Sequence, residues 1–242
     1  MTGMGEGSDD GREAMEALYP FLYADKVDLS AVLEQVRAST VAKAAEIGDL
    51  RHEVFLRDAD RIADCAEQAA ARFRAGGRLF AFGNGGSATD AQQLATLFLN
   101  PGAGLRPLPA FGLANDTSVI TALANDVGPE VIFARQLAAF ARPGDIAVGL
   151  STSGNSANLL RAFDEASRRG MLTIGLAGYD GGKMAELDTI DYLFVAPSAS
   201  VHRIQEAQTT VYQIFWELTV AALDPSGLTH QEEVLYVPRY TR

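Results

Sequence analysis

From Arg78 onward the chain alternates between short, solidly apolar runs and segments of helical spacing, and that alternation is what most limits the folds open to it. The apolar runs are Leu79-Phe80-Ala81-Phe82 within 78–83, then Leu108–Leu113, Ile146–Leu150, Leu172–Leu176 and Tyr192–Val195. Short runs that are apolar throughout read as strands covered on both faces. Helical segments near 88–99, 117–125, 130–141, 156–169 and 182–187 separate them, and a long one over Ile204–Leu223 follows the last. The expected fold class is α/β: a parallel sheet flanked by helices on both faces, with binding loops at the carboxyl ends of the strands.

The N-terminal third reads differently. Between Ser30 and Ala75 there is one glycine, Gly48, and no proline, and Ile62, Cys65, Ala66, Ala69 and Phe73 recur at helical spacing. Gly76-Gly77 ends this N-terminal helical region, whose helices carry an apolar stripe at Leu33, Val36, Ala42 and Ile47. Residues 1–12 are Gly- and Asp-rich and read as disordered, 13–224 as a single domain, and 225–242 as a tail without period. Within that tail Val234-Leu235-Tyr236-Val237 is a short extended segment able to dock.

A net charge of −11 with no run of lysines or arginines argues against direct nucleic-acid binding. It does not exclude an anionic small ligand, because main-chain N–H groups and helix N-termini bind phosphate regardless of net charge. The one cysteine, Cys65, permits no internal disulfide, and its place in the amphipathic run Ile62–Phe73 suggests a buried structural thiol. No basic-then-apolar leader and no membrane-spanning apolar run is visible, so a cytoplasmic protein without membrane attachment is expected.

Three loops carry the chemistry. The first strand runs into Gly83-Asn84-Gly85-Gly86-Ser87, whose backbone can turn sharply and approach a ligand, although a glycine-rich turn also occurs without one. The spacing G-x-G-x-x-G of a dinucleotide site is absent. The third strand continues as Ser151-Thr152-Ser153-Gly154-Asn155-Ser156 into a helix, where free N–H groups and the helix dipole favour phosphate. Capping of that helix by Ser153 or Ser156 is the competing account, and it needs only one hydroxyl. Asn115 and Asp116 follow the second strand, with Asp116 readable as a contact to sugar hydroxyls or as a helix N-cap. In a parallel sheet all three loops converge on one edge.

The segments GNGGS at 83–87, STSGNS at 151–156, GYDGGKMAEL at 178–187 and RIQE at 203–206, in this order, resemble the SIS family. The similar branch contains phosphoheptose isomerase (sedoheptulose 7-phosphate isomerase) and its non-catalytic relative, the DnaA-initiator-associating protein. The resemblance covers about residues 50–223 and implies a five-stranded parallel sheet, a homotetramer with sites at subunit interfaces, and a sugar phosphate such as sedoheptulose 7-phosphate as ligand. It assigns Asn84, Gly85, Gly86 and Ser87, then Asn115 and Asp116, then Ser151, Thr152, Ser153 and Ser156 to ligand binding, and Gln205 to the glutamine that contacts substrate and metal in the isomerases.

The resemblance also implies a histidine and, four residues later, a glutamate on the helix after GNGGS, and a histidine eight residues after the motif glutamine. These hold zinc and move the proton in the isomerases. This chain has Gln93, Leu97 and Gln213 there, with Gln93 kept among the substrate-binding amides. Enediol isomerisation needs a titratable base and an acid or metal at the carbonyl, and zinc sites use Cys, His and carboxylate ligands. The expectation is a sugar-phosphate-binding, regulatory SIS protein with no zinc or other cofactor and with a protein partner to regulate. The alternative is an active aldose–ketose isomerase using a rearranged pair such as His202 with Glu206, residues equally readable as surface and first-turn groups. Asp90 is a further ionisable candidate.

Overall fold

The computed structural model describes residues 29–102 and 104–224. The expected 1–12 terminus and the 225–242 tail, with Val234–Val237, lie outside the described residues. Helix α1, Leu29–Arg74, is one helix of 46 residues where the sequence suggested several. Gly48 does not break it, because a single glycine costs a helix interior only about 1 kcal/mol. It stops where Gly76 takes φ 87° and the Gly77 N–H bonds the Arg72 carbonyl at 2.9 Å, a glycine-type C-cap.

By its internal contacts the chain falls into two compact units, divided between Glu46 and Ile47. Of the first, residues 29–46 are described, and Val32, Leu33, Val36 and Val41 are exposed on them. The second unit holds strands β1 (Leu79–Gly83), β2 (Ala110–Gly112), β3 (Ile146–Ser151), β4 (Leu172–Gly178) and β5 (Tyr192–Ala196). They form one parallel sheet in the order β2-β1-β3-β4-β5. Strand β2 is shorter than the 108–113 expected, because Pro107 and Pro109 have no N–H to give a ladder.

The helices between strands are α2 (Gly86–Leu99), α3 (Thr117–Asp126), α4 (Ile132–Phe140) and α5 (Ala157–Arg168), and α6 (Val201–Leu223) closes the described chain. Segment 182–187, expected as helical, is a 3₁₀ turn at Gly182–Glu186, entered through left-handed Gly181 and Gly182. Side-chain alternation along the strands sorts the core into two layers. Leu79 and Ala81 of β1 join α1, α2 and α6 residues such as Ile62, Leu94, Phe98, Val211 and Phe215, while Phe80 and Phe82 join Phe133 and Leu137 of α4 and Leu159 and Phe163 of α5. Cys65 is fully buried in the first layer, as its amphipathic setting implied. At the β5 edge, Arg57 and Arg61 of α1 share the buried Asp58 carboxylate and donate to the Val195 and Leu193 carbonyls, which covers an otherwise open strand. No helix among the described residues is long and apolar enough to cross a membrane.

Candidate functional site

The strand order reverses between β1 and β3: the chain leaves β1 for β2 on one side and β3 for β4 and β5 on the other. Loops diverge at such a switch point and leave a crevice at the carboxyl ends of the strands. Both the glycine-rich loop and the hydroxyl-rich loop open from this point.

The hydroxyl-rich loop is built around Ser151, the last residue of β3, which is buried. Its Oγ lies 3.3 Å from Ser156 Oγ and 3.5 Å from Ser153 Oγ, and accepts from the Gly154 N–H at 3.1 Å. The Asn155 N–H donates to Ser153 Oγ at 3.2 Å. Gly154 turns the chain at φ 64°, and any Cβ there would run into the Gly181 carbonyl. From the other side the Met184 N–H bonds the Gly154 carbonyl and the Lys183 N–H bonds Asn155 Oδ1, each at 3.0 Å, so the 3₁₀ turn clamps the loop.

Helix α5 has Ser156 in its N-cap position but no side-chain cap. The competing account of these hydroxyls as caps therefore fails. They gather instead beside a helix N-terminus without a side-chain cap, where the Leu159 N–H is taken by the Ser156 carbonyl and the positive end of the dipole favours an anionic acceptor. Such a set of donors can hold a phosphate without a cationic side chain. Thr152, half-buried, puts its carbonyl against Gly178 so closely that no side chain could stand there.

In the glycine-rich loop, Gly85 occupies the N-cap position of α2, again without a side-chain cap, and Ser87 is buried. A Cβ on Gly86 would collide with the Gln205 amide, so that glycine is what lets α6 close on the loop. The structure thus brings Gln205 to the glycine loop, and Gln205 Nε2 also donates to Asp90 Oδ2 at 3.4 Å. Burial raises the Asp90 carboxyl above the ordinary aspartate value, and the Gln205 hydrogen bond only partly opposes this.

The second loop behaves differently from the first and third. Asp116 caps α3, its Oδ1 accepting from the Val119 N–H at 3.0 Å, so the capping account holds there. Asn115 donates to Gln92 Oε1, which ties the loop to α2. Ala88, Thr89, Gln92, Gln93, Thr96, Ala114 and Asn115 line a cavity of about 390 Å³ whose polar groups are amides and hydroxyls.

The proposed His202–Glu206 pair gains no support. His202 is exposed at the start of α6, and Glu206 pairs with Arg203. Gln93 and Gln213 are exposed, while Leu97 packs against the core. Sequence reasoning missed three amides. Gln92 is the anchor of Asn115. Asn158 pairs with Asn84. Gln208 is 1% exposed, donates to the Ser151 carbonyl at 3.5 Å, and has no partner for its Oε1. The i, i+3 spacing of Gln208 from Gln205, on one helix face, was the available signal for the last.

Residues 44–178 match the SIS domain model. The phosphoheptose isomerase of Nitratidesulfovibrio vulgaris (strain Miyazaki F) is 40% identical over 77% of this chain and 89% of its own length. That of Aquifex aeolicus is 44% identical over 66% of this chain and 83% of its own. The solved phosphoheptose isomerase of Neisseria gonorrhoeae superposes with TM-score 0.70 at 35% identity, covering 76% of this chain and 98% of that one.

Proposed function

The chain belongs to the SIS-domain family and is phosphoheptose-isomerase-like, and on that premise we propose that it binds a sugar phosphate, of the sedoheptulose 7-phosphate class, as a regulatory protein without family-type isomerisation. The observation that carries this reading is the uncapped α5 N-terminus ringed by Ser151, Ser153 and Ser156 at the sheet's switch point. In this reading the phosphate takes the N–H groups and hydroxyls of the 151–156 loop. The sugar chain runs past Asn84, Gly85, Gly86 and Ser87 toward the amides Gln93, Gln205 and Asn115, where Asp116 keeps one carboxylate oxygen beyond its capping bond.

Zinc does not fit the residues at the positions the resemblance assigns to it. Gln93, Gln205 and Gln213 offer neutral amides and Leu97 offers nothing, whereas zinc sites take imidazole, thiolate and carboxylate. Among the described residues no three His, Cys, Asp or Glu side chains are grouped closely enough to hold a metal ion. In this reading the protein works without zinc or other cofactor, as a cytoplasmic homotetramer that reports its ligand to a protein partner. Light scattering on the purified chain tests the tetramer, and a monomer at micromolar concentration would remove it.

Asp90 favours a second reading, an isomerase with this carboxyl as its acid–base group, because burial moves its pKa toward the working range of such a catalyst. The deciding experiment is calorimetry with sedoheptulose 7-phosphate beside a coupled assay of its interconversion. Binding without turnover is the expected result. Turnover that Asp90→Asn abolishes would replace the regulatory reading with the catalytic one, and absence of binding would sink both.

A further inference from the structure

Asn84 and Asn158 exchange two hydrogen bonds, Asn84 Nδ2 to Asn158 Oδ1 and Asn158 Nδ2 to Asn84 Oδ1, both at 2.9 Å. One residue lies in the glycine-rich loop after β1, the other in the first turn of α5 after β3, 74 positions later. The pair joins the two loops that diverge at the switch point. Its partner residues come from the loops that diverge there, so the bridge counteracts the feature of the fold that opens the site.

We propose that Asn158 is a positioning residue: through this amide pair it fixes the glycine loop, and with it Asn84, at the geometry that receives the sugar portion of the ligand. The inference rests on the sugar-phosphate reading above. A primary amide has two N–H donors and two acceptor lone pairs. The exchange uses one of each on Asn84, which leaves one donor and one acceptor for a sugar hydroxyl.

Stability does not explain the pair. It is exposed to solvent, where an amide–amide bond exchanges against water at little net gain. Nor does the phosphate loop need it, since that loop is held by Gly154 N–H on Ser151 Oγ, by Met184 N–H on the Gly154 carbonyl and by Lys183 N–H on Asn155. The glycine loop has main-chain bonds of its own, Ser87 N–H to the Asn84 carbonyl at 3.1 Å and Ala88 N–H to the Gly85 carbonyl at 3.0 Å, but these lie within the loop and the start of α2 and do not tie it to α5. Gly85 at φ 55° leaves its backbone adaptable unless a side chain from outside anchors it. Fixing it in advance lowers the ordering cost that binding would otherwise bear.

The test compares wild type with Asn158→Ala in three measurements. Hydrogen exchange of the main-chain N–H groups at 84–88 in the ligand-free protein should accelerate in the variant, while thermal stability stays within a degree or two. Affinity for sedoheptulose 7-phosphate should fall about tenfold, the worth of one or two lost hydrogen bonds, while affinity for inorganic phosphate stays within about twofold of wild type. Asn158→Asp keeps the acceptor for Asn84 Nδ2 and should retain slow exchange at the loop, although its charge will oppose any phosphate. Unchanged exchange in Asn158→Ala, or an equal loss for both ligands, would overturn the positioning role. A wild-type protein that binds inorganic phosphate but no sugar phosphate would instead overturn the proposed function, and the role of the pair in binding with it.

Discussion

The loop after β3 and the wall formed by α2 and α6 meet where Gln208 donates to the Ser151 carbonyl and Gln205 lies over Gly86, yet they are built from opposite materials. The loop is made of hydroxyls, a left-handed glycine and a helix N-terminus without a side-chain cap, a set of groups able to receive an anion. The wall carries Gln93, Gln205 and the half-buried Asp90, with Leu97 packed against the core, and among the described residues no three His, Cys, Asp or Glu side chains are grouped closely enough to hold a metal ion. On the proposed reading, binding and chemistry are separable on this scaffold. Preorganised N–H groups can hold a phosphate without a titratable side chain, whereas proton transfer between sugar carbons needs an acid–base group.

The strongest way to break the contrast is to rebuild the wall. Gln93→His, Leu97→Glu and Gln213→His together supply the ligands that the resemblance places there, and should raise zinc affinity by more than about a thousandfold. Elemental analysis after dialysis reads the result. One tightly held zinc per subunit in the unaltered chain would show that the wall already binds metal, and the contrast would collapse.

Altering the loop should have the next largest effect. Ser153→Asp places a carboxylate beside the N-terminus of α5, where it satisfies the helix and repels phosphate. Sugar-phosphate binding should fall at least about a hundredfold, because charged hydrogen bonds of about 1.5–3 kcal/mol are exchanged for repulsion. Ser153→Ala should cost about ten- to a hundredfold by loss of one donor alone. Unchanged affinity in folded Ser153→Asp would place the phosphate elsewhere.

Legibility in the sequence followed the same division. The parallel sheet was readable because its strands are unbroken apolar runs such as Leu79–Phe82 separated by helical segments, and burial on both faces leaves no other use for them. The loops were readable because Gly85, Gly86 and Gly154 and the serines near them are local signals, each next to the strand end that presents it. What was not readable depended on side chains meeting from distant positions. No spacing rule links Asn84 to Asn158 or Gln92 to Asn115, and the unbroken course of α1 past Gly48 depends on a penalty too small to decide from propensity. Asp116 had two readings until the Val119 N–H was seen on its carboxylate.

Asp90 gives the smallest effect and the finest test of the wall. Burial raises its folded-state pKa above the ordinary 3.8, so the folded protein holds this proton more tightly than the unfolded chain does. Below about pH 3.8 both states are protonated and Asp90 costs nothing. As pH rises through that value toward the raised one, ionisation is easier in the unfolded chain, and a destabilising contribution builds, then stays constant. Asp90→Asn keeps an acceptor for Gln205 and removes the charge, so it should gain stability over wild type at neutral pH and lose that gain in acid. The group is only half-buried, so solvent screening holds the gain below about 1 kcal/mol. Paired thermal melts at about pH 4 and about pH 8 measure it, since all other titrating groups are common to both proteins and cancel in the difference. A variant less stable than wild type at the higher pH would mean that the Asp90 carboxylate has a cationic partner in the assembled protein, and that the wall is more of a charge-binding surface than its amides suggest.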